Sequence, residues 1–447
     1  MKFYLLLLLP LLLFSESSQI SSIPLPTTYV QGIDINESCD NNCLQAYVES
    51  GEIFTFLALA QNKLACMELE DDRMIYGGLL NIGAPDTKRE LKIAMILPYK
   101  LIGRYAYSTS NAVFAYLLTR NHPFVLKNFQ VKDESAEEMQ RVLQKIKDEE
   151  FHYVIAPLTK RGADVVSSIE DELTIYFPTI HVSDINSSEE NVYFGAIDYQ
   201  AQINILTKRA TSPLVVFYDK SAKGKKLYAQ TKESYMDKNL SFQPSSRKAV
   251  YKELDMDYKP SMELSKKRLI AYGIDRKTTN LKWHLENNKK IQFGSFFLNT
   301  PVIKTTMILS QFTTYDTNTT NILSTQINYD PLLFSMTQKQ DRKDVFIANS
   351  ININNNTLIQ ANSLLSNDIV YDWINYASTI GIDYFYHEIT HTERAYQLPM
   401  VDNQVLYPVS VVTLSGTRFE VVEKGVLPSF DNNVTSFENN TTTPTIF

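Results

Sequence analysis

From Leu91 onward the chain alternates short apolar runs with amphipathic stretches, and this alternation limits its fold more than any other property of the sequence. Lys92 to Tyr99 (KIAMILPY) reads as a strand buried on both faces, because its apolar residues are continuous rather than alternating. An apolar-periodic helix from about Arg104 to Thr119 follows, then a short strand from Phe129 to Lys132. Ser135 and Glu138 form a capping box that opens a charged amphipathic helix to Glu150. Tyr153 to Leu158 (YVIAPL) is the next strand and Arg161 to Glu170 the next helix; Thr174 to His181 and Asn191 to Gly195 are two further strands. A second series runs through helix Tyr199 to Arg209, strand Leu214 to Tyr218, helix Ser221 to Met236 and strand Lys248 to Leu254. Two such series predict an α/β protein of two lobes, each a doubly wound parallel sheet, with a cleft between them. Pro157, Leu158, Thr159 and Lys160 leave the carboxyl end of a strand, where open α/β sheets place ligands, and are expected to line that cleft.

Upstream, Met1-Lys2-Phe3-Tyr4 leads into an apolar run from Leu5 to Phe14 and then Ser15-Glu16-Ser17-Ser18, the layout of a cleavable signal peptide. The run is shorter than the ~20 residues that span a bilayer, and no second stretch of spanning length occurs, so the mature chain is expected to be soluble and exported. The first cysteine is Cys39, so nothing supports a lipid-modified N-terminus. Cys39, Cys43 and Cys66 allow one disulfide in an oxidising compartment. Cys43–Cys66 would staple a helical hairpin and Cys39–Cys43 would close a tight loop; the sequence does not choose. The expected organisation is a signal peptide over 1–18, an N-terminal helical segment over 19–90, the bilobal domain over 91–424 and a flexible tail over 425–447.

Asn-x-Ser/Thr occurs at Asn36, Asn186, Asn239, Asn318, Asn355, Asn433, Asn439 and Asn440. Six of the eight carry an acid two residues earlier: Asp34, Asp184, Asp237, Asp316, Asp431 and Glu438. The extended form resembles the acceptor sequon of bacterial periplasmic N-glycosylation. Glycans are therefore expected at several of Asn36, Asn186, Asn239, Asn318, Asn433 and Asn440, while Asn355, preceded by Ile353, should stay bare.

IAPLTKRGADVV (Ile155 to Val166), in which a strand delivers a Pro-Leu turn to a helix, resembles the GPL turn of the penicillin-binding-protein activators built on a type I periplasmic-binding fold; Ala156 stands where that family carries Gly. FFLNTPVIKTTMIL (Phe296 to Leu309), ILSTQI (Ile322 to Ile327), DVFIANSI (Asp344 to Ile351) and IGIDYFYH (Ile380 to His387) resemble later elements of the same family, over roughly Leu91 to Val422. The resemblance implies a periplasmic, non-enzymatic binding or regulatory protein that docks a cell-envelope protein, a peptidoglycan synthase among the candidates. A solute receptor feeding a transporter is the alternative. It would hold a small-molecule carboxylate on hydroxyls and free amides at a helix N-terminus, and Thr159 is the only hydroxyl in that turn.

Enzyme chemistry finds little support. Gly is scarce at 14 residues, and no GxGxxG or GxxxxGK[ST] loop occurs. The net charge of −7 leaves no global nucleic-acid footprint. His387-Glu388-Ile389-Thr390-His391 satisfies H-E-x-x-H, so His387 and His391 could hold zinc on one helical face with Glu388 polarising a water. No third ligand follows in recognisable spacing, and the expectation is no metal, no cofactor and two histidines at a surface helix end. A basic stretch from Lys259 to Lys290, with Tyr272 and Trp283 interleaved, reads either as a solvated face or inter-lobe linker, or as a docking surface for an acidic partner or the anionic cell wall.

Overall fold

The computed structural model describes residues 39 to 427, apart from 61, 81–89, 121, 171, 186–189, 237–266 and 352–354. Helices Asn41–Glu49 (α1), Ile53–Leu59 (α2) and Met67–Leu79 (α3) pack around Leu44, Phe56, Leu57 and Leu69. Asp40 caps α1 by accepting from the Cys43 N–H at 3.0 Å. Cys39 and Cys43 form a disulfide across that turn, which leaves Cys66 a half-exposed thiol at the start of α3.

The first lobe begins with Leu91–Leu97 (β1), Tyr99–Ile102 (α4), Arg104–Leu118 (α5), Phe124–Gln130 (β2), Ala136–Asp148 (α6), Tyr153–Ile155 (β3), Lys160–Ile169 (α7), Thr174–Phe177 (β4) and Val192–Phe194 (β5). The chain then builds the second lobe from Tyr199–Thr207 (α8), Leu214–Asp219 (β6), Ala222–Met236 (α9), Leu269–Ile274 (β7), Lys282–Leu285 (α10), Gly294–Asn299 (β8), Val302–Thr314 (α11), Thr319–Ser324 (β9), Leu332–Met336 (α12) and Val345–Asn349 (β10). Helices Asn356–Leu364 (α13) and Trp373–Thr390 (α14) return to the first lobe with the hairpin Met400–Val401 (β11) and Gln404–Val405 (β12). Val409–Ser415 (β13) and Arg418–Val426 (β14) complete the second. Among the described residues each lobe holds a seven-stranded sheet, ordered β11-β12-β5-β4-β3-β1-β2 and β14-β13-β10-β9-β8-β6-β7. The β1–β5 and β6–β10 ladders are parallel and only the late hairpins add antiparallel edges.

Both faces of each sheet are covered, which is why β1 reads as an unbroken apolar run: Ile93, Ala94, Met95, Ile96 and Leu97 are all fully buried. The edge strands depart from the sequence reading. β2 starts at Phe124 rather than Phe129 and exposes Lys127 and Asn128, so its first residues carry no burial pattern. β7 lies inside the basic stretch and is half-buried over Leu269–Gly273, so from Leu269 onward that stretch belongs to the second sheet and the crossover after it. The strand expected over Lys248 to Leu254 lies outside the described residues.

α14 is the hub of the first lobe. Gly381 lets it approach the sheet, since a Cβ there would lie 2.3 Å from the Tyr176 ring, and the Tyr176 hydroxyl donates to the Ala377 carbonyl at 3.0 Å. Two residues on, Asp383 is fully buried. Its carboxylate accepts from the Tyr116 hydroxyl at 2.7 Å and from the Ala395 and Tyr396 amides at 2.7 and 3.1 Å. Arg394 and Arg120 approach it at 3.4 and 3.6 Å. Removing this charge strands two guanidinium groups and three donors in a low-dielectric interior, so Asp383→Ala is expected to cost about 3–5 kcal/mol. Denaturant unfolding followed by far-ultraviolet circular dichroism checks this; Asp383→Asn, which keeps an acceptor, should lose less.

Candidate functional site

Between the lobes lies a cleft of about 970 Å³. Pro157, Leu158, Thr159 and Lys160 all line it, at the carboxyl end of β3. Further walls come from the segments after β4 and β5, from Tyr105 at the start of α5, from Trp373 at the start of α14, and from Lys223, Lys226 and Gln230 on α9 of the second lobe.

The helix N-terminus expected to face a ligand is already occupied. Glu134, 3% exposed, reaches over from the segment between β2 and α6. Its carboxylate accepts from the Thr159 amide at 2.8 Å, the Gly162 amide at 3.1 Å and the Thr159 hydroxyl. Thr159, the residue preceding α7, makes no cap bond with its own side chain, so Glu134 serves as the cap from 25 residues away. Gly162 is what admits it: a Cβ there would sit 2.5 Å from the Glu134 carboxyl carbon. The negative charge and two acceptor bonds that an anion would bring to this helix start are thereby supplied from within. Two neighbouring helix starts are treated alike. Asp198 caps α8 through the Ala201 amide at 3.0 Å, and Asp372 caps α14 through the Ile374 and Asn375 amides at 2.9 and 3.4 Å. Burial pushes the Asp372 carboxyl up, against the pull of those two amides.

Positive charge in the cleft comes from side chains instead. Lys226 pairs with Asp184 of the opposite lobe at 2.5 Å. Lys160 donates to the Asp184 carbonyl and lies 3.4 Å from Asp164. Lys223 donates to the Tyr199 hydroxyl at 3.0 Å, with its ammonium 4.5 Å from the Tyr199 ring centroid and 5.6 Å from that of Trp373. His181 Nδ1 meets the Ser183 hydroxyl at 2.8 Å. Glu134 was not singled out in the sequence; the one signal was an acid at the carboxyl end of a strand, with a glycine in the first turn of a later helix.

The H-E-x-x-H segment is a helix terminus. α14 ends at Thr390, and His391 is the left-handed cap at φ 56, off the helical face that carries His387. His387 Nδ1 sits 2.6 Å from the Thr392 carbonyl. Tyr384, Phe385 and Tyr386 turn inward to Tyr193, to Tyr153 and Tyr176, and to Tyr116 respectively. Among the described residues no group of three His, Cys, Asp or Glu could hold a metal ion, and no helix is long and apolar enough to cross a membrane. Asn36, Asn186, Asn239, Asn433 and Asn440 lie outside the described residues. Asn318 is exposed just before β9, whereas the Asn355 side chain caps α13 by accepting from the Thr357 amide at 2.8 Å.

No family model matches the sequence, and no curated protein matches it. Solved structures do match in fold. The branched-chain amino acid transporter substrate-binding protein LivJ from Streptococcus pneumoniae, in complex with isoleucine, superposes with a TM-score of 0.52 at 10% identity, over 76% of this chain and 100% of that one. An amino acid ABC transporter substrate-binding protein from Pseudomonas fluorescens gives 0.51 at 11% identity, over 77% and 98%. LpoA from Haemophilus influenzae aligns more loosely, at 0.45 and 10% identity over 86% of this chain and 65% of that one. The fold is the two-lobed type I periplasmic-binding fold.

Burial holds the His181 imidazole below its ordinary pKa; Asp198 and Asp184 pull it up, and Lys226 pushes it down. A base whose folded pKa is depressed binds a proton more readily once unfolded, so stability should fall as pH drops below about 6.5, the unfolded imidazole value. Melting temperature measured across that range should decline more steeply for the native chain than for His181→Gln.

Proposed function

We propose that the chain is a non-catalytic binding and regulatory protein of the bacterial envelope, exported to the periplasm and acting by docking a protein partner. Its sequence resemblance to the penicillin-binding-protein activators makes a peptidoglycan synthase the favoured partner class. Glu134 carries this reading. An amino-acid receptor on this fold would offer open amides at the start of α7 to the carboxylate of its solute, and here the chain's own carboxylate takes two of them. Glycans on the acid-preceded sequons fit the same compartment. Asn318 lies at the amino end of β9, the opposite end of its sheet from the cleft, so a glycan there would leave the cleft clear. Crosslinking in intact cells followed by isolation of the complex tests the docking role: recovery of an envelope synthase is the expected result, and a transporter permease as the sole partner would reject it.

One observation favours the receptor alternative. The cleft is large, and Tyr105, Tyr199 and Trp373 share its wall with Lys160, Lys223 and Lys226, a lining suited to an anionic aromatic solute that need not touch α7. Calorimetric titration separates the two readings. The native chain should give no saturable heat with the common amino acids or with aromatic carboxylates such as benzoate, and micromolar binding of any of these would favour the receptor. Glu134→Ala should lose about 1–3 kcal/mol of stability by leaving the Thr159 and Gly162 amides unpaired. Acetate should raise the melting temperature of that variant, by filling the vacated amides, and leave that of the native chain unchanged.

A further inference from the structure

The two tryptophans of the chain are used in opposite ways. Trp373 lines the cleft, whereas Trp283, on α10 in the crossover from β7 to β8, is 93% exposed. Its exposure is built in. Leu281 and Leu285, two residues to either side, are fully buried in the core beneath α11, and helical geometry between such anchors turns residue 283 outward. The supporting backbone is tied down on both sides: Gln311 accepts from the Leu281 amide at 2.6 Å and donates to the Thr279 carbonyl at 3.1 Å. Asn288 donates to the His284 carbonyl at 2.8 Å, and the His284 ring lies 4.6 Å from that of Tyr272.

The crossover that carries this indole is rich in cations. Arg276, Lys277, Lys282, Lys289 and Lys290 are all exposed, against two acids in the same crossover, Asp275 and Glu286, in a chain of net charge −7. Asp275 pairs with Lys220 at 2.6 Å and Glu286 with Lys282 at 3.6 Å. Arg276, Lys277, Lys289 and Lys290 form no ion pair among the described residues. The crossover returns along β7, so these cations are spread over about 20 Å, the length of a six-residue strand.

We propose that this crossover docks the protein on an anionic phospholipid bilayer, with Trp283 at headgroup depth and the four unpaired cations over the lipid phosphates. The four cations without ion-pair partners, beside two acids that each have one, make this crossover complementary to an anionic surface. An indole standing alone among lysines needs no matching pocket in a bilayer interface, where its amphipathic ring and the negative surface potential act together. The surface is separate from the cleft and from Glu134, so it stands or falls independently of the partner reading.

Flotation of the mature chain with vesicles of phosphatidylglycerol and phosphatidylcholine, against vesicles of phosphatidylcholine alone, is the test. Binding to the anionic vesicles that weakens with salt, accompanied by a blue shift of tryptophan emission, is expected. Trp283→Ala should lose about tenfold in affinity together with the blue shift, and Lys289→Glu with Lys290→Glu about tenfold or more together with most of the salt dependence. These side chains are exposed, so unchanged melting temperatures should accompany the losses. Equal binding to both vesicle types, no binding to either, or native and Trp283→Ala chains behaving alike would overturn the proposal. So would Trp283-dependent binding to isolated peptidoglycan or to an acidic protein without binding to lipid.

Discussion

Asp383 holds the first lobe together from inside its last helix. It is a charge with no exposure, and it persists because five donors from three segments converge on it: Tyr116 and Arg120 from α5 and the turn after it, and Arg394, Ala395 and Tyr396 from the segment beyond α14. Breaking such a cluster is costly although forming it gains little net stability over an apolar core, so its contribution is to fix position. Trp373 is ten residues, or about 15 Å of helix, back along the same α14. The clamp at Asp383 and the contact made possible by Gly381 therefore also set where Trp373 stands in the cleft.

Internal carboxylates govern the cleft as well. Glu134, Asp198 and Asp372 each cap a helix that starts there, which takes one or two backbone amides of each start out of the set open to a ligand. What stays open is side-chain chemistry: ammonium groups, aromatic rings and the His181 ring. Ammonium groups on flexible stems recognise anions as point charges and not through fixed geometry, so the site can hold negative charge without reading one particular carboxylate. This electrostatic plan differs from the one a helix-start receptor needs, although the fold is the same.

What the sequence disclosed follows from how each element is buried. The strand KIAMILPY and the turn Pro157 to Lys160 could be read directly, because a central parallel strand is apolar throughout and its carboxyl end faces the crevice by topology. β2 and β7 were misplaced or missed because each is an edge strand, with Lys127 and Asn128 exposed on one and only Ile274 fully buried on the other. The GID segment could be located but its purpose could not: Gly381 answers to Tyr176, more than 200 residues earlier, and Asp383 to Tyr116. Glu134 was hidden for the same reason. A carboxylate that caps a helix 25 residues away has no local pattern; beside it Ser135 caps α6 through the Glu138 amide, while its own amide donates to Asp133 and not to Glu138 as the capping box requires.

Two sets of contacts of unequal strength lie where the lobes meet. Across the cleft mouth, the Lys226–Asp184 pair is partly exposed, and pairs of that kind contribute about 0–1 kcal/mol. Near the place where β10 hands the chain back to the first lobe, the polar network is buried. Gln202 donates to the Ser350 hydroxyl at 2.7 Å and accepts from the Gln326 amide at 2.9 Å. Gln326 in turn accepts from the Ser350 amide at 2.6 Å and donates to Asn349 at 3.0 Å. Such a network is costly to leave half-satisfied, so it fixes the second lobe's end of the connection. The root of the connection is thus held by buried hydrogen bonds, whereas the mouth is bridged by a pair that contributes little.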